Sequence, residues 1–236
     1  MARYRRRRRR FRRRRRRRRF RRRRRRFMSR INYLKLRRTT GFPDQMYVKL
    51  RYRQLNQYSG QGTQISQIYS MNSAYDPDQT AAGANNQPLT WDQWSQFYRR
   101  YQVMASSIHL RIITTAGSQR NGLVIYPSNS PTPAISPNNA IEQRYAKSYL
   151  ISSTTQSGFF RVKHYCSVKK IEARTVSSLN YAALTGSGIE GSNPSAQKFW
   201  QIILYALDDE TPIDAFMEVK IVYYTKFFEP SQPAPS

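Results

Sequence analysis

Apolar and polar residues first fall into step at position 46. Met46, Val48, Leu50 and Tyr52 alternate with Tyr47, Lys49, Arg51 and Arg53, and a period of two marks a strand with one face buried. Weaker alternation follows over 63–71 (TQISQIYSM), and a long β-branched run over 102–115 (QVMASSIHLRIITT). Shorter strands are predicted at 121–127, 147–153, 159–170 (FFRVKHYCSVKK) and 198–207 (KFWQIILYAL). The last, 216–228, puts Met217, Val219, Ile221, Tyr223 and Phe227 on one face.

Helical periodicity is rare. Residues 90–101 (TWDQWSQFYRRY) place aromatics near helical spacing behind Thr90, a possible N-cap, and 138–146 (NNAIEQRYA) suit one more short helix. Eight strands with long connections predict an all-β domain: a single jelly roll, an eight-stranded antiparallel double-sheet sandwich, with another kind of β-barrel as the alternative. The connections 127–139 (PSNSPTPAISPNN) and 186–194 (GSGIEGSNP) have the composition of exposed turns or subunit contacts.

Charge changes this picture more than composition does. The chain of 236 residues has 42 Lys and Arg against 13 Asp and Glu, a net charge of +29. Its first forty residues hold 25 of those basic groups and no acid, so the remainder is close to neutral at +4. Arg5, Arg6, Arg7, Arg8, Arg9 and Arg10 form one block, and Arg12, Arg13, Arg14, Arg15, Arg16, Arg17, Arg18 and Arg19 a second. Arg21, Arg22, Arg23, Arg24, Arg25 and Arg26 form a third, with Arg37 and Arg38 further on. Like charges this dense repel, and few apolar residues offset the chain entropy, so an arm over 1–40 is expected to be disordered until a polyanion neutralises it. The domain then spans 41–229, and the prolines at 230, 233 and 235 close 230–236 as an extended tail.

Guanidinium grips phosphate with two prongs and stacks on bases, and lysine is absent before Lys35. The arm therefore reads as a nucleic-acid condensing element, with room for a nuclear-localisation signal within it. Tyr4, Phe11, Phe20 and Phe27 punctuate it, either as intermittent base-stacking rings or as incidental interruptions. Phosphate contacts carry no sequence information, and no sequence-reading motif is present. Lys49, Arg51 and Arg53 extend the basic character into the first strand, either as part of a nucleic-acid surface or as an ordinary solvated face.

Catalytic chemistry has little to stand on. His164 and Cys166 share a strand face, but no third ligand or orienting group can be assigned to them, and packing is the reading for both. Asp208-Asp209-Glu210 is a solvated turn before it is a cation site, and Trp91, Trp94, Phe97, Tyr98 and Tyr101 suit core or interface packing before base stacking. No phosphate-cradling loop or nucleophile elbow occurs. The chain is read as non-enzymatic, without cofactor or metal. With Cys166 the single cysteine, no internal disulfide can form, which fits a reducing place of synthesis. No apolar core follows the arginines as a signal peptide requires, and no run is long enough to span a bilayer.

One stretch carries a resemblance. Tyr75-Asp76-Pro77-Asp78, then Gln87-Pro88-Leu89-Thr90-Trp91-Asp92-Gln93-Trp94, then Tyr98-Arg99-Arg100-Tyr101-Gln102-Val103 resemble the capsid proteins of circovirus-like, circular Rep-encoding single-stranded DNA viruses. Those chains also combine an arginine-rich start with strands like Met46–Tyr52 and Ser107–Ile112. The resemblance covers the arm and roughly 42–115 in recognisable residues. This arm lacks the His, Pro and Trp of some relatives, which leaves the genus open.

The resemblance implies a jelly-roll subunit, a homo-oligomeric icosahedral (T=1) shell of sixty copies, a virion location and a circular single-stranded DNA genome as partner. Nuclear-import receptors and the host nucleus during assembly follow from it too. Sixty arms of 25 charges would bring about 1500 positive charges, on the order of the phosphates of a genome of one to two thousand nucleotides. An arginine tract does not by itself distinguish DNA from RNA, so an RNA-virus capsid stays open, as does a non-viral condensing protein with a protamine-like tail.

Overall fold

The computed structural model describes residues 43–80, 86–114, 120–152, 159–172, 182–188, 191–208 and 210–231. The arm, with every arginine from Arg5 to Arg38, lies outside these residues, as does the tail beyond Ser231. The body begins at Asp44 as a compact unit.

Its strands are β1 Gln45–Gln61, β2 Gln64–Ser70, β3 Tyr98–Thr114, β4 Arg120–Ser128, β5 Lys147–Ser152 and β6 Phe160–Ser167. The two-residue β7 Gly186–Ser187 comes next, followed by β8 Phe199–Ala206 and β9 Ile213–Pro230. Among the described residues three short helices complete the list: α1 Trp91–Phe97, α2 Pro137–Ile141 and α3 Val168–Glu172. One sheet has the order β1-β9-β3-β6 with β7 added to β3, and the other has the order β2-β8-β4-β5.

Every pairing is antiparallel, and four of them define the topology: β1 with β9, β2 with β8, β3 with β6, β4 with β5. That is one long two-stranded ribbon, closed at the β4–β5 connection and rolled into two sheets, which is a jelly roll. Eight strands carry it, and β7 is a small addition.

The inward phase of each strand fills the space between the sheets. Leu50 and Tyr52 from β1, Ile108, Leu110 and Ile112 from β3, and Val219, Ile221 and Tyr223 from β9 meet Trp200, Ile202 and Leu204 from β8. The Trp200 indole N–H donates to the Ser106 hydroxyl at 2.8 Å, so this large ring is buried without an orphaned donor.

Sequence and structure part at three places. The aromatic segment predicted as helix over 90–101 is helical only to Phe97, and Thr90 occupies the N-cap position without a side-chain cap bond. Tyr98 already has extended angles, because Tyr98 and Tyr101 pack from β3 onto Phe227 of β9. The second predicted helix stops at Ile141 rather than 146, with Pro137 in its first turn and the Ser136 hydroxyl accepting from the Asn139 N–H. The predicted strand 159–170 turns into α3 at Val168. There the Lys198 ammonium, mostly buried, meets the Glu172 carboxylate at 2.5 Å and ties the helix to the start of β8.

The proline-rich connection after β4 is also more than an exposed turn. Tyr126 donates to Gln201 at 2.5 Å and accepts from the Ala134 N–H, while the Gln201 amide donates to the carbonyls of Ser130 and Thr132. Ala134, Ala140 and Ala146 pack against Val124, Tyr126 and Ile203. The connection thus covers the outer face of the β2-β8-β4-β5 sheet over β4 and β8, whereas on the outer face of the opposite sheet Arg51, Arg53, Arg111 and Lys163 are exposed.

Candidate nucleic-acid interface

Period two decides what the open face displays. Each inward residue of β1, β9, β3 and β6 leaves its neighbours pointing outward, and the pairing register aligns them in rows across four strands. One row reads Arg53, Lys220, His109, Lys163. The next toward the β1 N-terminus reads Arg51, Val222, Ser107, Tyr165, and the one after it Lys49, Tyr224, Ala105, Ser167. On the other side lies Leu55, Glu218, Arg111, Arg161. Rows are roughly 6.6 Å apart and neighbouring strands roughly 4.8 Å. Glu218 is the one carboxylate in these rows against seven lysines and arginines.

Glu218 sits 3.2 Å from the Arg111 guanidinium and 3.9 Å from that of Arg53. These are exposed pairs that contribute little to stability and leave the surplus of positive charge intact. Arg161 lies over the Phe159 ring at 4.1 Å, with Arg111 at 5.9 Å from the same ring. His109, within 3.2 Å of the Ser107 hydroxyl, has its pKa pushed below the usual histidine value by burial first and then by Lys163 and Lys220. At neutral pH it adds no charge to the row.

Aromatic rings stand among the cations. Tyr165 is 53% exposed and meets Tyr224 edge to face, with ring centres 6.0 Å apart and planes at 78°. The Lys49 ammonium lies 5.6 Å from the centre of the Tyr224 ring. Between these rings β3 contributes only Ala105 and Ser107, small enough for side chains of β6 and β9 to meet across it. Along the edge of β1 that has no partner strand among the described residues, Lys49, Arg51 and Arg53 also border a groove of about 870 Å³ whose far wall is Asn86 to Thr90 and Asp92.

Of the residues singled out from sequence, Lys49, Arg51 and Arg53 are exposed on this face. The structure joins them to Lys220, Arg111, Arg161 and Lys163, which sequence reasoning missed. Their signal was there, since 159–167 and 213–224 alternate as clearly as 46–52, but which strands are neighbours is not written in any one segment.

Most of the remaining candidates are packed into the fold, although Phe97 is 43% exposed. His164 and Cys166 point inward and are buried, His164 against Trp200 with ring centres 5.0 Å apart. Burial, with lesser contributions from Lys147 and Lys170, pushes His164 down to about 4. No group of three or more His, Cys, Asp or Glu among the described residues could hold a metal ion. Asp208 accepts from the N–H groups of Glu210 and Thr211 and from the Thr211 hydroxyl, which lowers its pKa and marks a capped turn. Trp91, Tyr98, Tyr101 and Phe227 form one buried aromatic cluster. Among the described residues no helix is long and apolar enough to cross a membrane.

No protein-family model matches the sequence, and neither does any curated protein. Solved structures with a similar course of the chain include the 60-mer BFDV capsid protein, at 13% identity, covering 83% of this chain and 100% of that one, with a TM-score of 0.43. Turnip yellow mosaic virus is similar at 13% identity over 86% of this chain and 91% of that one, with a TM-score of 0.41. The semi-empty particle of Macrobrachium rosenbergii nodavirus is similar at 13% identity over 84% and 100%, with a TM-score of 0.42. At these values the jelly-roll topology stands on its own strand order.

Proposed function

We propose that this chain is a viral capsid protein whose copies assemble into an icosahedral shell around a nucleic-acid genome. The observation that carries the reading is the union of a jelly-roll body, one of whose sheets turns a cationic face outward, with an arm of 25 basic groups leading into the strand at that face's edge. A sandwich whose two sheets share a single core is a rigid tile, and its connections are free to vary as contacts between tiles. The arm neutralises phosphate in bulk, and the sheet face extends the same function over a fixed surface.

The finer reading follows the resemblance of the 75–112 segment to circovirus-like capsids. Sixty copies form the shell, the cargo is circular single-stranded DNA, and the arm, over 1–40, also carries the import signal to the host nucleus. The jelly-roll domain spans 41–229 and 230–236 is an extended tail. The mature location is the virion.

Analytical ultracentrifugation of the full chain, read at 260 and 280 nm beside a deletion of 1–40, tests this. Particles of dozens of subunits that carry nucleic acid, and lose it with the arm, support the proposal. A nuclease-treated full chain that stays monomer or dimer across salt and protein concentration overturns it.

A further inference from the structure

A sheet face that only neutralised phosphate would need cations and nothing else. Here the rows of cations converge on a pair of tyrosines, Tyr165 exposed and Tyr224 half-buried. Tyr165 and Tyr224 stand at 78° to one another over a floor of Ala105 and Ser107. Two rings at right angles leave a corner, in which a planar group can stack on one ring and meet the edge of the other. Tyr165 gives up half its surface to solvent, although a tyrosine with a core role would be turned inward as Tyr223 is on β9.

The surroundings say what the planar group is attached to. Arg51 shares the row of Tyr165, Lys49 shares that of Tyr224, and Lys220 and Lys163 occupy the next row, one step of roughly 6.6 Å away. Cations on both sides of an aromatic corner match a chain that alternates anionic and planar units. A duplex has the anions, but its bases are stacked inside and cannot enter the corner. Single strands offer both, and stacking on aromatic side chains tolerates any base.

We propose that the outer face of the β1-β9-β3-β6 sheet is a binding site for single-stranded polynucleotide, with an unpaired base in the Tyr165–Tyr224 corner and flanking phosphates on Arg51, Lys163 and Lys220. The inference rests on the nucleic-acid packaging reading above and adds to it a discrimination that the arm, an unselective polycation, does not make. Strands enter the shell unpaired over this surface, and duplex held by the arm leaves the corner empty.

Ultraviolet cross-linking of the full chain tests it, using an oligothymidylate about twenty nucleotides long and a duplex of equal length. Trypsin cuts at Lys163 and Lys169 and releases Tyr165 within the peptide 164–169, which mass spectrometry reads for a thymidine adduct. The expected result is an adduct at Tyr165 with the single strand, at least about tenfold weaker with the duplex, lost in Tyr165→Leu and kept in Tyr165→Phe. Equal adduct yield from the duplex overturns the proposal. So does an oligothymidylate that binds and cross-links elsewhere but leaves this peptide unmodified, an outcome under which packaging by the arm still stands. A chain that binds neither ligand overturns both.

Discussion

Acid should loosen this fold through one buried histidine. His164 points from β6 into the core, 4% exposed, against the Trp200 ring, and its Nδ1 has no hydrogen-bond partner among the described residues. The charged groups that bear on it, Lys147 and Lys170, are both cationic, so they add to the burial that holds it near 4. An unfolded chain titrates this ring near 6.5. Between the two values the unfolded state binds more protons, so stability is full above about pH 6.5 and is lost as pH falls toward 4. A proton taken up by the unfolded chain but refused by the native one costs about 2 kcal/mol at pH 5 and about 3 at pH 4.

Replacing His164 with Phe removes the titration and keeps an aromatic ring against Trp200. Urea denaturation of full-length wild type and His164→Phe, in high salt and at pH 7, 6, 5 and 4, separates this term from the carboxylates common to both. The difference in stability between the two should shift in favour of the variant by about 2 kcal/mol from pH 7 to pH 5. Parallel curves, within about 0.5 kcal/mol at every pH, would refute the reasoning.

Two more outcomes test the packing. Glu172→Gln leaves the Lys198 ammonium, 9% exposed, without its carboxylate at the base of β8. It should cost about 3 kcal/mol by denaturant titration, and Lys198→Met, which removes the buried charge altogether, distinctly less. Gly186→Ala would set a methyl group 2.4 Å from the buried Tyr101 ring and 2.5 Å from the Ser192 carbonyl. Tyr101 is held by Ser73 and by Ser192 and cannot step aside, so a loss of about 2 kcal/mol in stability is expected, read as a lowered thermal midpoint.

Much of this was legible beforehand because alternation is a local property. Met46 through Tyr52 reveal a half-buried strand from seven residues, and the other seven alternating or apolar runs needed no knowledge of one another. The helix over 90–101 was misjudged in extent for the opposite reason. Tyr98 and Tyr101 are extended because Phe227, more than a hundred residues away, packs against both rings, and helical spacing of aromatics does not contain that fact. The 127–139 segment was likewise read from its prolines alone, although Tyr126 and Gln201 hold it down on a sheet.

By itself, then, the sequence determined the class of the fold, the separation of a polycationic arm from a near-neutral body, and the basic phase of the first strand. Each follows from composition or from the period of a single segment. Tertiary structure alone decided which sheet face stays open and that Arg53, Lys220, His109 and Lys163 share a row. It also decided that Tyr165 and Tyr224 meet across small residues. The physical reason is strand order. A rolled ribbon makes neighbours of its first and last strands, so side chains nearly two hundred residues apart come within a few ångströms, and no local pattern encodes which of them will.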